Sequence, residues 1–254
     1  MNTKKYIFFD IDGTLTDSNP GGNVLPSTIK TLKKLRDNGH FVAIATGRAH
    51  FFGQEFADQY GFDNMVSDGG NGITVNKEEQ WIQPLDRTLC LELINECLEK
   101  KIAFGVSLSD EPKFYTCGDK EYTTGMTRDI IKIDSFDDVE NIYKIFVRAT
   151  VEQEKDLVTI HKLGYMRYHQ EDLIVEPLDK YHGIETMVEL VDGNKEDIVV
   201  FGDGKNDISM IRQAPLSIAM ENAIDELKEI ATFITKSNKE DGIEYACRHF
   251  GWID

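Results

Sequence analysis

Residues 6–14, which read Tyr-Ile-Phe-Phe-Asp-Ile-Asp-Gly-Thr, decide the fold that this sequence predicts. Four apolar or aromatic residues in succession indicate a short buried strand. Asp10 and Asp12 follow at once, and Gly13-Thr14 is typical of a turn. If the extended backbone continues through Ile11, residues two apart point to the same side, so both carboxylates face one spot. Two carboxylates that close raise each other's pKa unless a cation lies between them, so the pair predicts a divalent metal, a shared proton, or both.

The plain alternative for these two aspartates is a strand that ends in a solvated turn, and only partners elsewhere in the chain distinguish it from a site. A calcium loop of the EF-hand type is excluded by position. Counted from Asp10, the sixth residue is Leu15 where that loop needs Gly, and the twelfth is Gly21 where it needs Glu.

The composition of the 254 residues bounds the class of protein and its partners. With 41% hydrophobic and 29% charged residues, the chain has the composition of a soluble protein with one large domain or two modest ones. The net charge of −17 argues against nucleic acid and anionic membranes as partners, because phosphate backbones are bound by clustered Lys and Arg. A small phosphorylated substrate stays possible, since a metal ion and one or two bases can hold it locally.

Cysteine usage and hydropathy predict a reduced, cytoplasmic protein. The four cysteines form no CxxC pair and no zinc-like spacing with histidine, and Cys90 and Cys97 are expected in a core. No apolar run approaches the roughly 20 residues of a membrane span. The apolar run near the N-terminus meets Asp10 too early for a signal peptide.

Strands and helices alternate at both ends of the chain. Pro26 opens a predicted helix, residues 41–45 form a second apolar strand, and a further helix ends near Tyr60. The last third repeats the pattern, with predicted strands at 197–201, 216–219 and 233–235 and predicted helices at 183–190, at 223–228 and from 241 onward. Continuous apolar strands between helices predict a parallel α/β sheet.

The middle of the chain has a different pattern. Residues 65–81 predict a β-hairpin that turns on Gly69-Gly70-Asn71-Gly72. Mixed elements follow: a helix at 86–101, a strand at 103–108, a turn-rich region at 110–134, elements at 139–146 and 152–163, and short strands at 165–169 and 173–176. We therefore predict an α+β domain of residues 85–178 inserted into a core of residues 1–84 and 179–254.

Three of the apolar strands end in polar residues, at Asp10-x-Asp12-Gly-Thr14, Thr46-Gly47-Arg48 and Gly202-Asp203-x-x-x-Asp207. The carboxyl ends of neighbouring parallel strands share one edge of the sheet, and ligands bind in the crevice there. Four carboxylates, a hydroxyl and helix N-termini are thus expected to converge. Such a ligand set suits a hard cation, and Mg²⁺ in particular because it leaves room for phosphate oxygens.

Phosphoryl transfer needs a nucleophile, a counter-charge and a proton source. Asp10 is the candidate nucleophile, which would form an acyl phosphate, and Asp12 is the candidate acid and base. Asp203 would complete the metal site, and Asp207 would orient the metal ligands without binding the ion directly. The Thr46 hydroxyl and the Gly47 N–H are candidates to hold phosphate oxygens, and a lysine is needed to offset the phosphate charge.

These motifs resemble those of the haloacid dehalogenase-like (HAD) phosphatases. The resemblance to the Cof-type branch extends over Asn71-Gly72, Ala219-Met220-Glu221-Asn222-Ala223 and Asn238-Lys-Glu-Asp241-Gly242-Ile243. It implies a Rossmann-like core, residues 1–84 and 179–254, with a cap, residues 85–178, that closes over the site. It also implies Mg²⁺-dependent hydrolysis of a small phosphorylated metabolite, a sugar phosphate or cofactor phosphate, through an aspartyl phosphate.

The resemblance further implies site residues. Lys180, 23 residues before Asp203, matches the family's catalytic lysine. The metal would be held by the Asp10 carboxylate, the Asp12 backbone carbonyl and Asp203. Asn206 and Asn71 are candidates for phosphate contact, the alternatives being loop ordering for the first and turn geometry for the second.

Two other functions and one role remain open at this point. A phosphomutase would use the same scaffold and return the phosphoryl group to substrate. A phospho-acceptor switch would also use Asp and Mg²⁺, although the acid/base Asp12 disfavours it by shortening the life of an acyl phosphate. Arg48 is expected to form a salt bridge rather than bind substrate, and Lys113, Arg128 or Lys132 are candidate cap contacts to a second anionic group.

Overall fold

The computed structural model describes residues 3–19, 21–118, 122, 129–168 and 170–254. Arg128, one of the candidate cap contacts, lies outside the described residues. The chain divides into two compact units. The first comprises Met1–Arg48, Phe52–Trp81 and Asp179–Asp254, and the second comprises Ile82–Leu178 with Ala49–Phe51.

The strands of the described residues are numbered along the chain: β1 (Tyr6–Phe9), β2 (Phe41–Ala45), β3 (Met65–Ser67), β4 (Gly72–Val75), β5 (Glu78–Ile82), β6 (Ala103–Ser107), β7 (Lys113–Thr116), β8 (Asp129–Lys132), β9 (Lys144–Arg148), β10 (Tyr165–Arg167), β11 (Asp172–Val175), β12 (Ile198–Gly202), β13 (Leu216–Ala219) and β14 (Phe233–Ile234). The α-helices are α1 (Pro26–Asp37), α2 (His50–Tyr60), α3 (Arg87–Glu99), α4 (Val151–Lys155), α5 (Lys180–Leu190), α6 (Ile208–Gln213), α7 (Asp225–Ile230) and α8 (Gly242–His249).

The first unit is built on one mixed sheet with the strand order β14-β13-β12-β1-β2-β3-β4-β5. The strands from β14 to β3 run parallel, and β4 is antiparallel to β3. Phe9 of β1 is level with both Ile44 of β2 and Phe201 of β12. The carboxyl ends of these three strands are therefore aligned, as the sequence predicted.

Helices cover both faces of this sheet, which explains why β1 is apolar at every position. Ile7 and Phe9 pack with residues of α1 and α8, whereas Tyr6 and Phe8 pack with residues of α5 and α6. All four side chains are at most 7% exposed. The predicted α/β class, with a parallel sheet between two helical layers, is confirmed for this unit.

The second unit has a sheet of order β10-β11-β9-β6-β7-β8, antiparallel except for the parallel pair β7–β8. Helix α3 packs on one face of it and buries Cys90 and Cys97, as predicted. Within the described residues no helix is both long and apolar enough to cross a membrane.

Several elements differ from the sequence prediction. Strands β7 and β8 lie in the region predicted to be turn-rich, and β8 lies at a sheet edge with polar or exposed side chains; β5 lies at the end of the hairpin region predicted over 65–81. The element predicted at 139–146 is a strand only from Lys144, and α5 begins at Lys180, three residues earlier than predicted.

The element predicted over 152–163 is not continuous: it contains α4 and a short helical turn at Ile160–Lys162, and a tertiary hydrogen bond explains the break between them. Helix α4 ends at Lys155, and the backbone N–H groups of Val158 and Thr159 donate to the carboxylate of Glu96 at 2.7 and 2.9 Å. Glu96 lies on α3, so this partner replaces the helical bonds from a distant part of the chain.

The second unit contains a buried ion pair whose loss should destabilise the protein. Lys144 Nζ lies 2.8 Å from Glu176 Oε2, and the two side chains are 6% and 5% exposed. We expect Lys144→Met to lower the free energy of unfolding by about 3–5 kcal/mol, because it leaves a buried carboxylate without its cation. The double variant Lys144→Met with Glu176→Leu should lose less than the single variant. Urea denaturation measures both values.

The matched control is Lys155→Met, since Lys155 pairs with Glu152 at 2.9 Å on the exposed face of α4. That pair should contribute less than about 1 kcal/mol. Equal losses from Lys144→Met and Lys155→Met would contradict the importance of the buried pair.

Candidate active site

The chain leaves the strand conformation immediately after Asp10. Asp10 is extended (φ −67°, ψ 160°), but residues 11–15 form a helical turn interrupted by Asp12 (φ −80°, ψ 104°) and Gly13 (φ 91°). The turn is closed by hydrogen bonds from Leu15 N–H to the Asp10 carbonyl and from Thr16 N–H to the Ile11 carbonyl. The condition under which both aspartate side chains would face one spot is therefore not met, because the backbone between them does not continue as a strand.

Lys180 lies buried between two carboxylates. Its Nζ donates to Asp10 Oδ1 at 2.6 Å and to Asp207 Oδ1 at 2.7 Å, and the residue is 1% exposed. Lys180 is the first residue of α5, whose N-terminus is capped by the Asp179 carboxylate. Burial alone would lower the Lys180 pKa, but the charges of Asp10 and Asp207 outweigh it and raise the pKa above its ordinary value.

Asp207 orders the loop after β12. Its Oδ2 accepts hydrogen bonds from Asp203 N–H and Gly204 N–H, both at 2.9 Å, while its Oδ1 accepts from Lys180. Asp207 is 0% exposed, so its two oxygens are used to hold neighbouring groups in place. Asp203 in turn accepts a hydrogen bond from the Thr14 hydroxyl at 2.8 Å, a contact that the sequence analysis missed although Thr14 directly follows the two aspartates.

Three of the four predicted carboxylates converge. Oxygen atoms of Asp10, Asp203 and Asp207 all lie within 4.8 Å of one another. Burial, and then the charge of Asp207, raise the pKa of Asp10 well above its ordinary value despite the opposing charge of Lys180. Burial and Asp207 also raise the pKa of Asp203, to about 7. The cluster thus has more negative charge than Lys180 balances, which is the condition for binding a cation.

Asp12 is held apart from this cluster by Arg48. Arg48 Nε donates to Asp12 Oδ2 at 2.8 Å, Arg48 Nη2 donates to Asp12 Oδ1 at 2.7 Å, and Gly21 N–H donates to Oδ1 at 2.7 Å. Burial raises the pKa of Asp12, but the hydrogen bonds and charge of Arg48 outweigh it and lower the pKa below its ordinary value. The interpretation of Arg48 as a salt-bridging residue is confirmed.

The loop after β2 holds Thr46, Gly47 and Arg48 at the same edge of the sheet. Thr46 is 2% exposed, and its hydroxyl oxygen accepts the Arg48 N–H at 3.1 Å. A turn at Asp68–Gly70 supports the loop, since Asp68 N–H donates to the Arg48 carbonyl at 2.9 Å and Gly69 N–H donates to the Thr46 carbonyl at 3.2 Å. Sequence reasoning identified this turn but not its contact with the loop.

The two candidate asparagines lie in the turns next to these groups. Asn71 follows the Asp68–Gly70 turn directly and donates its N–H to the Asp68 carbonyl at 3.4 Å. A Cβ on Gly70 would lie 2.5 Å from the Asp179 carbonyl oxygen, so this turn packs closely on the start of α5. Asn206 lies in the short turn that carries Asp207. The structure places both at the same sheet edge as the carboxylates.

Comparison with known proteins agrees with this geometry. A family model described as haloacid dehalogenase-like hydrolase matches residues 7–246. YkrA of Bacillus subtilis (strain 168), named provisionally as a phosphatase, is 31% identical over 98% of this chain and 98% of its own length. YwtE of the same organism, named a 5-amino-6-(5-phospho-D-ribitylamino)uracil phosphatase, is 29% identical over 95% of this chain and 96% of its own.

A solved structure gives the same result. BT4131, described as a sugar phosphatase of HAD subclass IIB, has a TM-score of 0.82 and 26% identity, and the match covers 98% of this chain and 100% of that chain. The family match, the near full-length relatives and the shared fold identify the enzyme class, a phosphoric monoester hydrolase. The chain belongs to the haloacid dehalogenase-like hydrolase family, in its Cof-type phosphatase branch.

Proposed function

We propose that this enzyme hydrolyses a small phosphorylated metabolite through an aspartyl phosphate on Asp10, with Mg²⁺ as its cofactor. The observation that carries the proposal is the buried contact of Lys180 with Asp10, beside the carboxylates of Asp203 and Asp207. A buried carboxylate that is held in place by a lysine at the edge of a parallel sheet suits a nucleophile.

The residues present fit Mg²⁺. The donors are carboxylate oxygens, which hard cations prefer, and the raised pKa values of Asp10 and Asp203 indicate negative charge that lacks compensation. Asp10, the Asp12 backbone carbonyl and Asp203 would hold the ion, with Asp207 behind them. The ion would supply positive charge to the phosphoryl oxygens and allow the carboxylates to be ionised together.

In the first half of the reaction, a carboxylate oxygen of Asp10 attacks phosphorus and the bond to the leaving oxygen breaks. Lys180 keeps one Asp10 oxygen fixed and offsets charge on the incoming phosphate. Asp12 delivers a proton to the leaving oxygen, and for this step its contact with Arg48 must loosen, because that contact favours the ionised form.

In the second half, Asp12 accepts a proton from water, which attacks the phosphorus and releases phosphate from Asp10. The ionised state that Arg48 imposes suits this step. The Thr46 hydroxyl and the Gly47 N–H hold phosphate oxygens: since the Thr46 oxygen already accepts the Arg48 N–H, its hydrogen can donate to phosphate. Asn71 and Asn206 are proposed as further phosphate contacts.

For the substrate, we propose a phosphate ester of a sugar or of a sugar-like cofactor precursor. YwtE is named for a phosphoribitylamino-uracil and BT4131 is described as a sugar phosphatase, so both relatives act on phosphorylated polyols or sugars. The unit Ile82–Leu178 is proposed as the cap that sets specificity, with Lys113 and Lys132 as candidate contacts. A cytoplasmic site of action fits the four free, buried cysteines.

Turnover should require both the metal and Asp10. Wild-type enzyme should release phosphate from p-nitrophenyl phosphate with Mg²⁺ and should stop when EDTA removes the metal. Asp10→Asn should lower kcat by about 10³-fold or more, because it removes the nucleophile. Asp225→Asn is the matched control, since that carboxylate is 96% exposed on α7. Full activity of Asp10→Asn would rule out the mechanism, and isomerised sugar phosphate without free phosphate would identify a mutase.

Removal of Arg48 should slow turnover and change its pH dependence. Arg48→Met should lower kcat about 10- to 100-fold and move the acidic limb of the pH–rate profile to higher pH, because the pKa of Asp12 rises when its cation is removed. Arg48→Lys keeps the charge without the bidentate contact and should lie between the two. Profiles of kcat over about pH 2–7, a range that spans the ordinary Asp pKa of about 3.9, measure the shift. An unshifted limb in Arg48→Met would contradict the assigned partner.

Asp203 should destabilise the metal-free protein at high pH. The pKa of Asp203 is about 7 in the folded state and near 3.8 when unfolded, so the ionised carboxylate destabilises the fold fully above pH 7, and this loss shrinks as pH falls from 7 toward 3.8. Asp203→Asn should therefore raise the Tm of metal-free protein at pH 8 and raise it much less at pH 5. Mg²⁺ should raise the Tm of wild type more than that of the variant. Thermal denaturation tests this, and the same Tm gain at both pH values would refute it.

A further inference from the structure

The turn at residues 220–224 connects the two loops that carry the site carboxylates. It follows β13 and donates two backbone hydrogen bonds to the end of β12 and its loop. Met220 N–H bonds to the Gly202 carbonyl at 3.1 Å, and Ile224 N–H bonds to the Asp203 carbonyl at 3.0 Å. The backbone on both sides of the Asp203 side chain is thus held by this turn.

The same turn holds the loop after β1 through one side chain. Asn222 Nδ2 donates to the Gly13 carbonyl at 2.8 Å. Gly13 has φ 91°, and a Cβ there would lie 2.3 Å from Asp203 Oδ2. The backbone therefore packs so closely on Asp203 that only glycine fits at position 13. This bond restrains the Gly13–Thr14 peptide, which is the next peptide after the one that carries the Asp12 carbonyl.

Asn238 fixes the orientation of Asn222 and adds a second bond to the loop. Asn238 N–H donates to Asn222 Oδ1 at 3.0 Å, which directs Asn222 Nδ2 toward the Gly13 carbonyl. Asn238 Nδ2 donates to the Thr16 carbonyl at 2.8 Å, and Asn238 is 8% exposed. Two amide side chains therefore hold the loop of residues 11–16, one at the Gly13 carbonyl and one at the Thr16 carbonyl.

The support behind Asn238 is itself rigid. Thr235 Oγ1 donates to the Gly242 carbonyl at 2.6 Å, and Gly242 N–H donates to the Ser237 carbonyl at 3.2 Å. A Cβ on Gly242 would lie 2.1 Å from the Lys236 carbonyl oxygen, so the segment closes tightly on itself. Asn238 thus transmits the position of a fixed segment to the loop of residues 11–16.

We propose that Asn222 and Asn238 are positioning residues for catalysis: they set the loop that carries Asp10 and Asp12 at a fixed distance from Asp203. The proposal rests on the proposed function, in which Asp10, the Asp12 carbonyl and Asp203 together bind the cation. Groups that orient metal ligands contribute strongly although they never touch the ion. Loss of either amide should loosen the loop and lower metal affinity and kcat, while phosphate contacts at Thr46 and Lys180 stay in place.

The experiment compares Asn222→Ala, Asn238→Ala and Asn222→Asp with a matched control, Asn38→Ala. Asn38 Nδ2 donates to the Trp252 carbonyl at 2.7 Å, so the control removes the same type of bond away from the site. Asn222→Asp keeps the acceptor for Asn238 N–H, removes the donor to Gly13 and adds a negative charge there, so its effect is compared with that of Asn222→Ala.

Four measurements distinguish the variants. Hydrogen exchange of metal-free protein should be faster at the Leu15 and Thr16 amides in the three site variants and unchanged there in Asn38→Ala. Calorimetric titration with MgCl₂ should show about 10- to 100-fold weaker binding, and kcat should fall by a similar factor with little change in KM. All four variants should show similar losses in Tm.

The outcomes separate this proposal from the proposed function. If wild type releases no phosphate, the proposed function fails, while hydrogen exchange still reports whether the two asparagines hold the loop. Wild-type exchange at Leu15 and Thr16 in the site variants would overturn the positioning role, whatever happens to kcat. So would unchanged Mg²⁺ binding and kcat in variants whose Tm falls as much as that of Asn38→Ala.

Discussion

The site depends on one buried cation between two buried carboxylates. Lys180 contacts Asp10 and Asp207 at 2.6 and 2.7 Å, and none of the three residues is more than 3% exposed. A charge so far from water is tolerated only when it is paired and hydrogen-bonded. Removal of any one of the three residues would leave a buried charge without its partner. Through Lys180, the start of α5 is connected to the end of β1 and to the loop after β12.

The arrangement leaves negative charge that the protein itself does not neutralise. Lys180 has two carboxylate partners, Asp203 lies close to both, and burial raises the pKa of Asp10 and Asp203. Arg48 forms two hydrogen bonds with Asp12 and so offsets the charge of the fourth carboxylate. Bound positive charge would remove the repulsion between these carboxylates, so the cluster favours binding of a cation.

Backbone hydrogen bonds from two turns hold the loops of the site in place. The Asp68–Gly70 turn holds the carbonyls of Thr46 and Arg48, and the 220–224 turn holds those of Gly202 and Asp203. These turns come from neighbouring strands of the same sheet, so the parallel register places them beside the loops that they support. The sheet thus positions both the reactive side chains and the groups that restrain them.

The sequence by itself determined the local features of this protein. The continuous apolar runs of β1, β2 and β12 predicted a buried parallel sheet, and the polar residues after each run predicted the edge where the site lies. These inferences succeed because they rest on continuous apolar runs buried on both faces of a sheet, which neighbouring residues decide. Lys180 was found by resemblance to a family motif and by the need for a positive charge.

Only the tertiary structure decided which groups meet. Arg48 is 36 residues from Asp12, Lys180 is 170 from Asp10 and Asn222 is 209 from Gly13, so no local pattern indicates these bonds. Two distant partners show this: Arg48 binds the Asp12 carboxylate after the backbone has turned away from the strand, and Glu96 of α3 accepts the backbone N–H groups beyond the end of α4. Hydrogen bonds in a folded chain form between groups that the fold brings together, and their free energy exceeds the small differences between local conformations.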